Sequence, residues 1–268
     1  MITQSTTRHD AMAFIEVIDG NPNGDPDNNN EPRSDISTGQ GLISDVSLKR
    51  QIRNTRTLSG YDDIFIKQGA ALNALMEECW GKSKFNLNTD RENITNILIE
   101  KYWDIRMFGQ VLSTGKTPGY PVRGCLQISF GRSLDPIEIA EHTITRCASA
   151  KQEEEKENKT MGNKMTVPYG LYTFRIAFCP NNKASDEDLE FFWQALKSCW
   201  ELNRSASRGF MATRQIVIFS HESRLGSAPT HDLFDTVSVA KQVEFPRKWE
   251  DYKITYKDIP EGISRTIL

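Results

Sequence analysis

The chain has 268 residues, 38% of them hydrophobic and including 13 Phe, 5 Trp and 7 Tyr, enough to bury a sizeable core in one large domain. A formal charge of -3 argues against indiscriminate nucleic-acid binding, so an anionic partner would have to meet a local positive patch. No apolar run approaches a bilayer span, and the polar start MITQSTTRHD lacks the apolar stretch of a secretory signal, which predicts a cytoplasmic protein without membrane attachment. Cys79, Cys125, Cys147, Cys179 and Cys199 are odd in number and form no CxxC pair; the four histidines form no HxxxH or HExxH. Free thiols are expected, and no metal or other cofactor.

Ala11 to Asp19 (AMAFIEVID) is a short apolar run ended by Gly20, Pro22 and Gly24, and predicts a first, central strand. A polar loop follows from Asn21, NPNGDPDNNNEPR, leading to a helix for which Ser44 supplies the N-cap and Asp45 a first-turn carboxylate. Val46, Leu48 and Ile52 are expected to point inward, and Lys49, Arg53 and Arg56 to share a solvent-facing cationic stripe with Arg50 and Asn54 beside it. Ser44 to Leu58 thus carries four Lys/Arg against one Asp, a sign that suits a phosphate backbone; a solvated surface helix is the plainer reading of such a stripe. Ile64 to Trp80 and Thr89 to Tyr102 are helix-compatible and fall within a helical insertion over 59–120. STGKTPGYP reads as a turn, and VRGCLQISFGRS as a second strand. Leu134 to Thr166, with the charged run KQEEEKENK, has too few apolar residues to pack and predicts a protruding excursion. Val167 to Phe178 is a third strand. Ser185 and Asp186 open an amphipathic helix with Leu189, Phe192, Trp193, Leu196 and Trp200 inward, Arg214 to Phe219 forms a fourth strand, and the aromatic tail from Ser238 packs back on the body. The order is βαββαβ with insertions, an α+β chain with a ferredoxin-like or RRM-like core in a single domain over 1–268.

Two loops invite chemical readings. Asp25, Asp27, Asn29 and Glu31 alternate as in an oxygen-rich calcium loop, but Asn30 and Ile36 stand where that loop needs Gly and Glu. The same carboxylates could hold magnesium for phosphodiester cleavage, or the Asn, Asp and Pro residues could form a rigid loop of Asx-turns that contacts sugar or phosphate without reacting. TGKT at Thr114 to Thr117 lacks the full GxxxxGK[ST] spacing of a phosphate loop.

Six segments in fixed order, NPNGDPDNNNEPR with SDVSLKRQIRN, DIRMFG, QISFGRSLDPI, TMGNKMTVPYGLY and NRSASRG, resemble the backbone subunit of CRISPR type I surveillance complexes (Cascade), the seventh Cas family, and within it the type I-C branch. The resemblance implies a hand-shaped protein with an RRM-like palm, fingers and a thumb hairpin within 134–166. Several copies would associate head to tail along CRISPR RNA and present it for pairing with a target DNA strand in antiviral defence, without cutting. It implies further partners: cap and large Cascade subunits and a recruited helicase-nuclease. Carried over by position, Lys49, Arg50, Arg53 and Asn54 would hold RNA phosphates, with Asn21, Asn23 and Arg33 near the same backbone. Met161, Gly162 and Lys164 would contact a kinked nucleotide, and Arg106, Arg204 and Arg208 match other motif positions. Asn163 stands where the family more often has a basic residue. The competing expectation is a metal-dependent ribonuclease using Asp25 and Asp27.

Overall fold

The apolar run near the amino end becomes the strand on which the sheet is built. The structure, a computed structural model, describes residues 2–80, 90–114, 117–145, 161–181 and 183–268. In chain order the elements are β1 (His9–Gly20), β2 (Gly24–Asp25), β3 (Glu31–Pro32), β4 (Gln40–Ile43), α1 (Asp45–Leu58), α2 (Leu72–Trp80), α3 (Arg91–Lys101), α4 (Trp103–Phe108), β5 (Gly109–Thr114), β6 (Thr117–Arg123), β7 (Leu126–Ile128), β8 (Gly131–Pro136), β9 (Ala140–Thr145), β10 (Met161–Phe178), α5 (Asp186–Leu202), β11 (Phe210–His221), α6 (Thr230–Phe234), β12 (Val237–Lys241), β13 (Tyr252–Tyr256) and β14 (Ile263–Ile267).

The main sheet runs β14-β11-β1-β10-β8-β4, with β7 and β9 also pairing β10, and its described ladders are antiparallel. The first nine residues of β1 are all buried, because both faces of the sheet are covered. Ala11, Ala13, Ile15 and Val17 face α1 and α5, packing with Leu48, Ile52, Leu189, Phe192 and Leu196. Met12 and Phe14 face the other way, onto Leu233, Phe234 and the C-terminal hairpin β12–β13, where Trp249 meets Phe14 edge-on at 6.2 Å. The aromatic tail therefore does pack back on the body, and β1 reads as a continuous apolar run instead of an alternating one for this reason. α5 begins as expected: the Ser185 side chain accepts from Asp188 N–H and the Asp188 side chain accepts from Ser185 N–H, a reciprocal cap.

β10 changes partner along its length. Met161 to Thr166 pair with β9, and from Val167 onward it pairs with β1, so the long strand belongs to the stem of an exposed hairpin at one end and to the core at the other. Of the 134–166 excursion, Leu134 to Pro136 instead end β8 in the main sheet, the β9–β10 hairpin protrudes, and the charged run lies in 146–160, outside the described residues. At the base of the β9–β10 hairpin Asp135 accepts from Tyr252 Oη at 2.7 Å and pairs with Lys241 at 3.1 Å, fastening it to the C-terminal hairpin. The STGKTPGYP turn falls on the β5–β6 hairpin, whose residues 115–116 are also outside the described set. The second expected strand is two, β7 and β8, and the helix expected from Ile64 begins only at Leu72. Cys79, Cys125, Cys179 and Cys199 are free thiols, and Cys147 lies outside the described residues. No described helix is long and apolar enough to cross a membrane.

α1 departs from its sequence pattern. Val46, expected inward, is 63% exposed, whereas Arg53 and Arg56, expected in solvent, are 9% and 7% exposed. The reason is the inserted segment, which has a small core of its own (Phe65, Met76, Ile94, Leu98, Tyr102) and docks against the flank of α1 that periodicity leaves to water. Arg53 Nε donates to Asp104 of α4 at 2.7 Å, and Arg56 makes two bonds to Asp63, of 3.0 and 2.7 Å, while lying 3.7 Å over the Tyr61 ring. Lys49 pairs with Asp45 one turn away at 2.9 Å. Replacing Arg53 with Ala leaves the Asp104 carboxylate buried without its counter-charge and should destabilise the fold by about 3–5 kcal/mol. Lys49→Ala removes a helical i,i+4 pair and a cation–ring contact with Phe108 at 5.8 Å, both at a half-buried position, and should cost about 1 kcal/mol. Urea denaturation of both variants checks this; equal losses would mean that docking through Arg53 does not hold the insertion.

Candidate nucleic-acid interface

The polar loop between β1 and α1 is ordered by its own short side chains. Asp25 Oδ1 accepts from Asp27 N–H at 3.2 Å and pairs with Arg33 at 3.2 Å, and Asn29 and Asn30 take left-handed backbone conformations that asparagine tolerates better than most residues. Asn23 Oδ1 accepts both the N–H and the hydroxyl of Ser44, each at 2.8 Å, which fixes the loop to the N-cap of α1. Asn21 donates its backbone N–H to Ser207 O at 2.8 Å and its Nδ2 to Asn30 O at 2.6 Å, joining the loop to the turn that follows α5. That turn lies so close that a Cβ on Gly20 would sit 1.8 Å from Arg208 O; only glycine fits there. The loop is thus ordered by its own Asn and Asp side chains. Among the described residues no group of three or more His, Cys, Asp or Glu is placed to hold a metal ion.

Two open cavities, each of about 520 Å³, flank Arg50. One is lined by Asn21, Asn23, Arg33, Arg50, Gln51 and Arg208, and the other by Lys49, Arg50, Arg53, Asn54, Gln68 and Phe108. Eight of the residues singled out from sequence therefore converge on one surface although they come from three separate segments. Their charges are not equally free. Lys49 and Arg53 are paired with Asp45 and Asp104, and Arg33 with Asp25. Arg50 donates only to the neutral Gln68, at 3.1 Å, and Arg208 to Asn203 O and Ser205 Oγ at 3.3 and 3.4 Å; among the described residues neither has a carboxylate partner. Burial, and then the nearby charge of Arg50, push the Arg208 guanidinium below its ordinary pKa, as expected of two cations held near one another without an anion.

The remaining sequence candidates fall in different places. Lys164, on the stem part of β10, donates to Ala206 O at 2.8 Å and so comes against the turn that carries Arg208. Gly162 is exposed in the same stem opposite Ile144, Met161 takes its ladder position opposite Thr145, and Asn163 bonds Glu141 at 2.9 Å. Arg204 is exposed on the turn after α5. Arg106 lines neither cavity: it makes two 2.8 Å bonds to Asp188 and so ties α4 to the start of α5. Burial acts to raise the Asp188 pKa, but the Arg106 guanidinium and the Ser185 N–H prevail and hold it below the usual carboxylate range. Sequence reasoning missed Gln51, Ser207 and Gln68. For Gln51 a signal existed, since it is a polar residue three positions after Leu48 and next to Ile52, inside the buried stripe.

A family model described as CRISPR-associated protein Cas7 matches residues 7–257. A curated relative, the CRISPR-associated protein Cas7 of Haloferax volcanii, is 26% identical over 222 residues, covering 71% of this chain. The chain spans 64% of that relative's length, less than two thirds of it. Among solved structures, a chain from a CRISPR RNA-guided surveillance complex, pre-nicking, aligns with a TM-score of 0.51 at 15% identity over 80% of this chain and 76% of that one, a likeness of fold. A chain from a further CRISPR RNA-guided surveillance complex aligns with a TM-score of 0.48 at 15% identity over 80% of this chain and 69% of its own. With its match extending over nearly the whole sequence, the chain belongs to the CRISPR-associated protein Cas7 family.

Proposed function

We propose that this chain is a non-catalytic, RNA-binding backbone subunit of a type I, I-C-like CRISPR surveillance complex. Copies of it associate head to tail along a CRISPR RNA, hold it by its phosphates and leave its bases open to a target DNA strand, alongside cap and large subunits and a recruited helicase-nuclease. The observation that carries the reading is the pair Arg50 and Arg208, two guanidinium groups lining one polar cavity without carboxylate partners among the described residues. Such a pair attracts phosphate and carries no sequence information, which is what a protein accepting any guide requires. The strand order β11-β1-β10-β8 with α1 and α5 on one face supports a ferredoxin-like palm, and the β9–β10 hairpin supports a thumb within 134–166. The helical insertion 59–120 braces α1, and the type I-C branch rests on the order of the sequence segments.

Arg50→Ala should weaken binding of all RNA sequences alike and lower the slope of log affinity against log salt by about 0.7, the value for one phosphate contact on a single strand. An unchanged slope would make the surface a solvated helix face. The mass of the purified protein should rise to that of multi-copy particles on addition of guide RNA, and a scaffold that binds only proteins would show no such change.

The ribonuclease alternative requires Asp25 and Asp27 to be available to a metal. Asp25 is instead engaged by Arg33 and the Asp27 amide, which favours a loop-ordering role. Labelled RNA incubated with the protein and magnesium should stay intact; cleavage abolished by Asp25→Ala would move the assignment to the nuclease.

A further inference from the structure

Of the residues that line the cavity together with Arg50 and Arg208, two are buried with hydrogen-bonding atoms that have no partner among the described residues. Gln51 is 1% exposed, and neither its Nε2 nor its Oε1 is bonded; Asn21 is 7% exposed, and its Oδ1 is likewise unbonded. Both residues line the cavity. The orientation of the Asn21 amide is fixed, because its Nδ2 donates to Asn30 O, so the atom left over is an acceptor. Buried polar atoms without partners are costly; Arg8, Trp103, Tyr172, Thr173 and Trp200 also carry one, but of these residues Asn21 and Gln51 are the two that line this cavity, where an occupant can supply the bonds.

The chemistry of the unbonded atoms narrows the ligand. A phosphate oxygen can receive a bond from Gln51 Nε2 but would meet Gln51 Oε1 and Asn21 Oδ1 as one acceptor meeting others. A hydroxyl fits better, since it can accept from Gln51 Nε2 and donate its single hydrogen to one of the two acceptors, and in a nucleic acid the group that does so at every residue irrespective of base is the ribose 2′-hydroxyl. We infer that Gln51, with Asn21, forms a ribose-hydroxyl subsite that selects RNA over DNA, while Arg50 and Arg208 in the same cavity hold the adjoining phosphate. The inference rests on the RNA-binding reading: the arginines supply affinity for either nucleic acid, and the amides supply the preference between them.

The test uses three uracil-containing oligonucleotides of one sequence, with ribose, 2′-deoxyribose or 2′-fluororibose, titrated into the whole protein and into Gln51→Met, which keeps length and volume without the amide. The wild-type protein should bind the ribose form about tenfold more tightly than either other form, the effect of a small number of hydrogen bonds. Gln51→Met should bring the ribose form down to the affinity of the 2′-fluoro form, with the 2′-deoxy affinity and the salt slope unchanged. Equal affinity of the ribose and 2′-fluoro forms for the wild-type protein would overturn the subsite, because fluorine cannot donate a hydrogen bond; this arm stands even if the variant fails to fold. A ribose preference that survives in folded Gln51→Met, or one that appears with a single base type only, would overturn it too. Failure to bind any of the three would instead overturn the RNA-binding reading beneath it.

Discussion

Asp104 has no exposed surface, and its carboxylate accepts three hydrogen bonds, from Arg53 Nε at 2.7 Å, Phe65 N–H at 2.8 Å and Ile66 N–H at 3.1 Å. A carboxylate withdrawn from water costs several kcal/mol, and here a guanidinium and two backbone amides offset that cost together. The arrangement joins three parts of the chain that share no ladder: α1, α4 and the segment that leads into the helical insertion. Because Arg106, two residues along α4, is bonded in turn to Asp188 at the start of α5, the two helices covering the sheet are braced through the same short helix. The wall of the cavity at Lys49, Arg53 and Phe108 is therefore fixed by burial and charge matching.

This bracing decides which positive charges face outward. Of the four basic residues on α1, three are matched by acids within the fold, Lys49 by Asp45, Arg53 by Asp104 and Arg56 by Asp63. Arg50 is left with a neutral partner, and the charge that accompanies it, Arg208, arrives from a turn more than a hundred positions away in sequence. An acidic protein thereby presents positive charge at a confined place.

What was legible from sequence is what local chemistry determines. β1, α5 with its Ser185 cap, and the Ser44 N-cap of α1 all follow from residues adjacent in the chain. The polar loop and Arg208 were singled out separately, on the strength of the family resemblance, and the fold brings them to one cavity. Arg53 and Arg56, expected in solvent, are buried for one physical cause, and Arg106 is engaged in the same way. Arg53 and Arg56 are buried and Arg106 half-buried, and their acids lie 51, 7 and 82 residues away, where a helical period gives no information. The same holds for the second covered face of the sheet, since nothing in β1 itself says that a C-terminal hairpin will close over Phe14.

β10 passes from stem to core without a break: its last bridge to β9 is at Thr166 and its first to β1 at Val167. A structure built this way is a cantilever, not a jointed arm. The direction of the stem is inherited from the twist of the central sheet, and a load placed on it is carried into the β1 ladder as shear along many parallel hydrogen bonds instead of bending a loop. With Lys164 fastened to Ala206 on one side and Asp135 held by Tyr252 and Lys241 on another, the beam is propped close to its root. Substitutions along the exposed stem can then change what it touches while leaving its aim unaltered, so the reach of the stem is encoded in the buried half of the strand and its contacts in the exposed half.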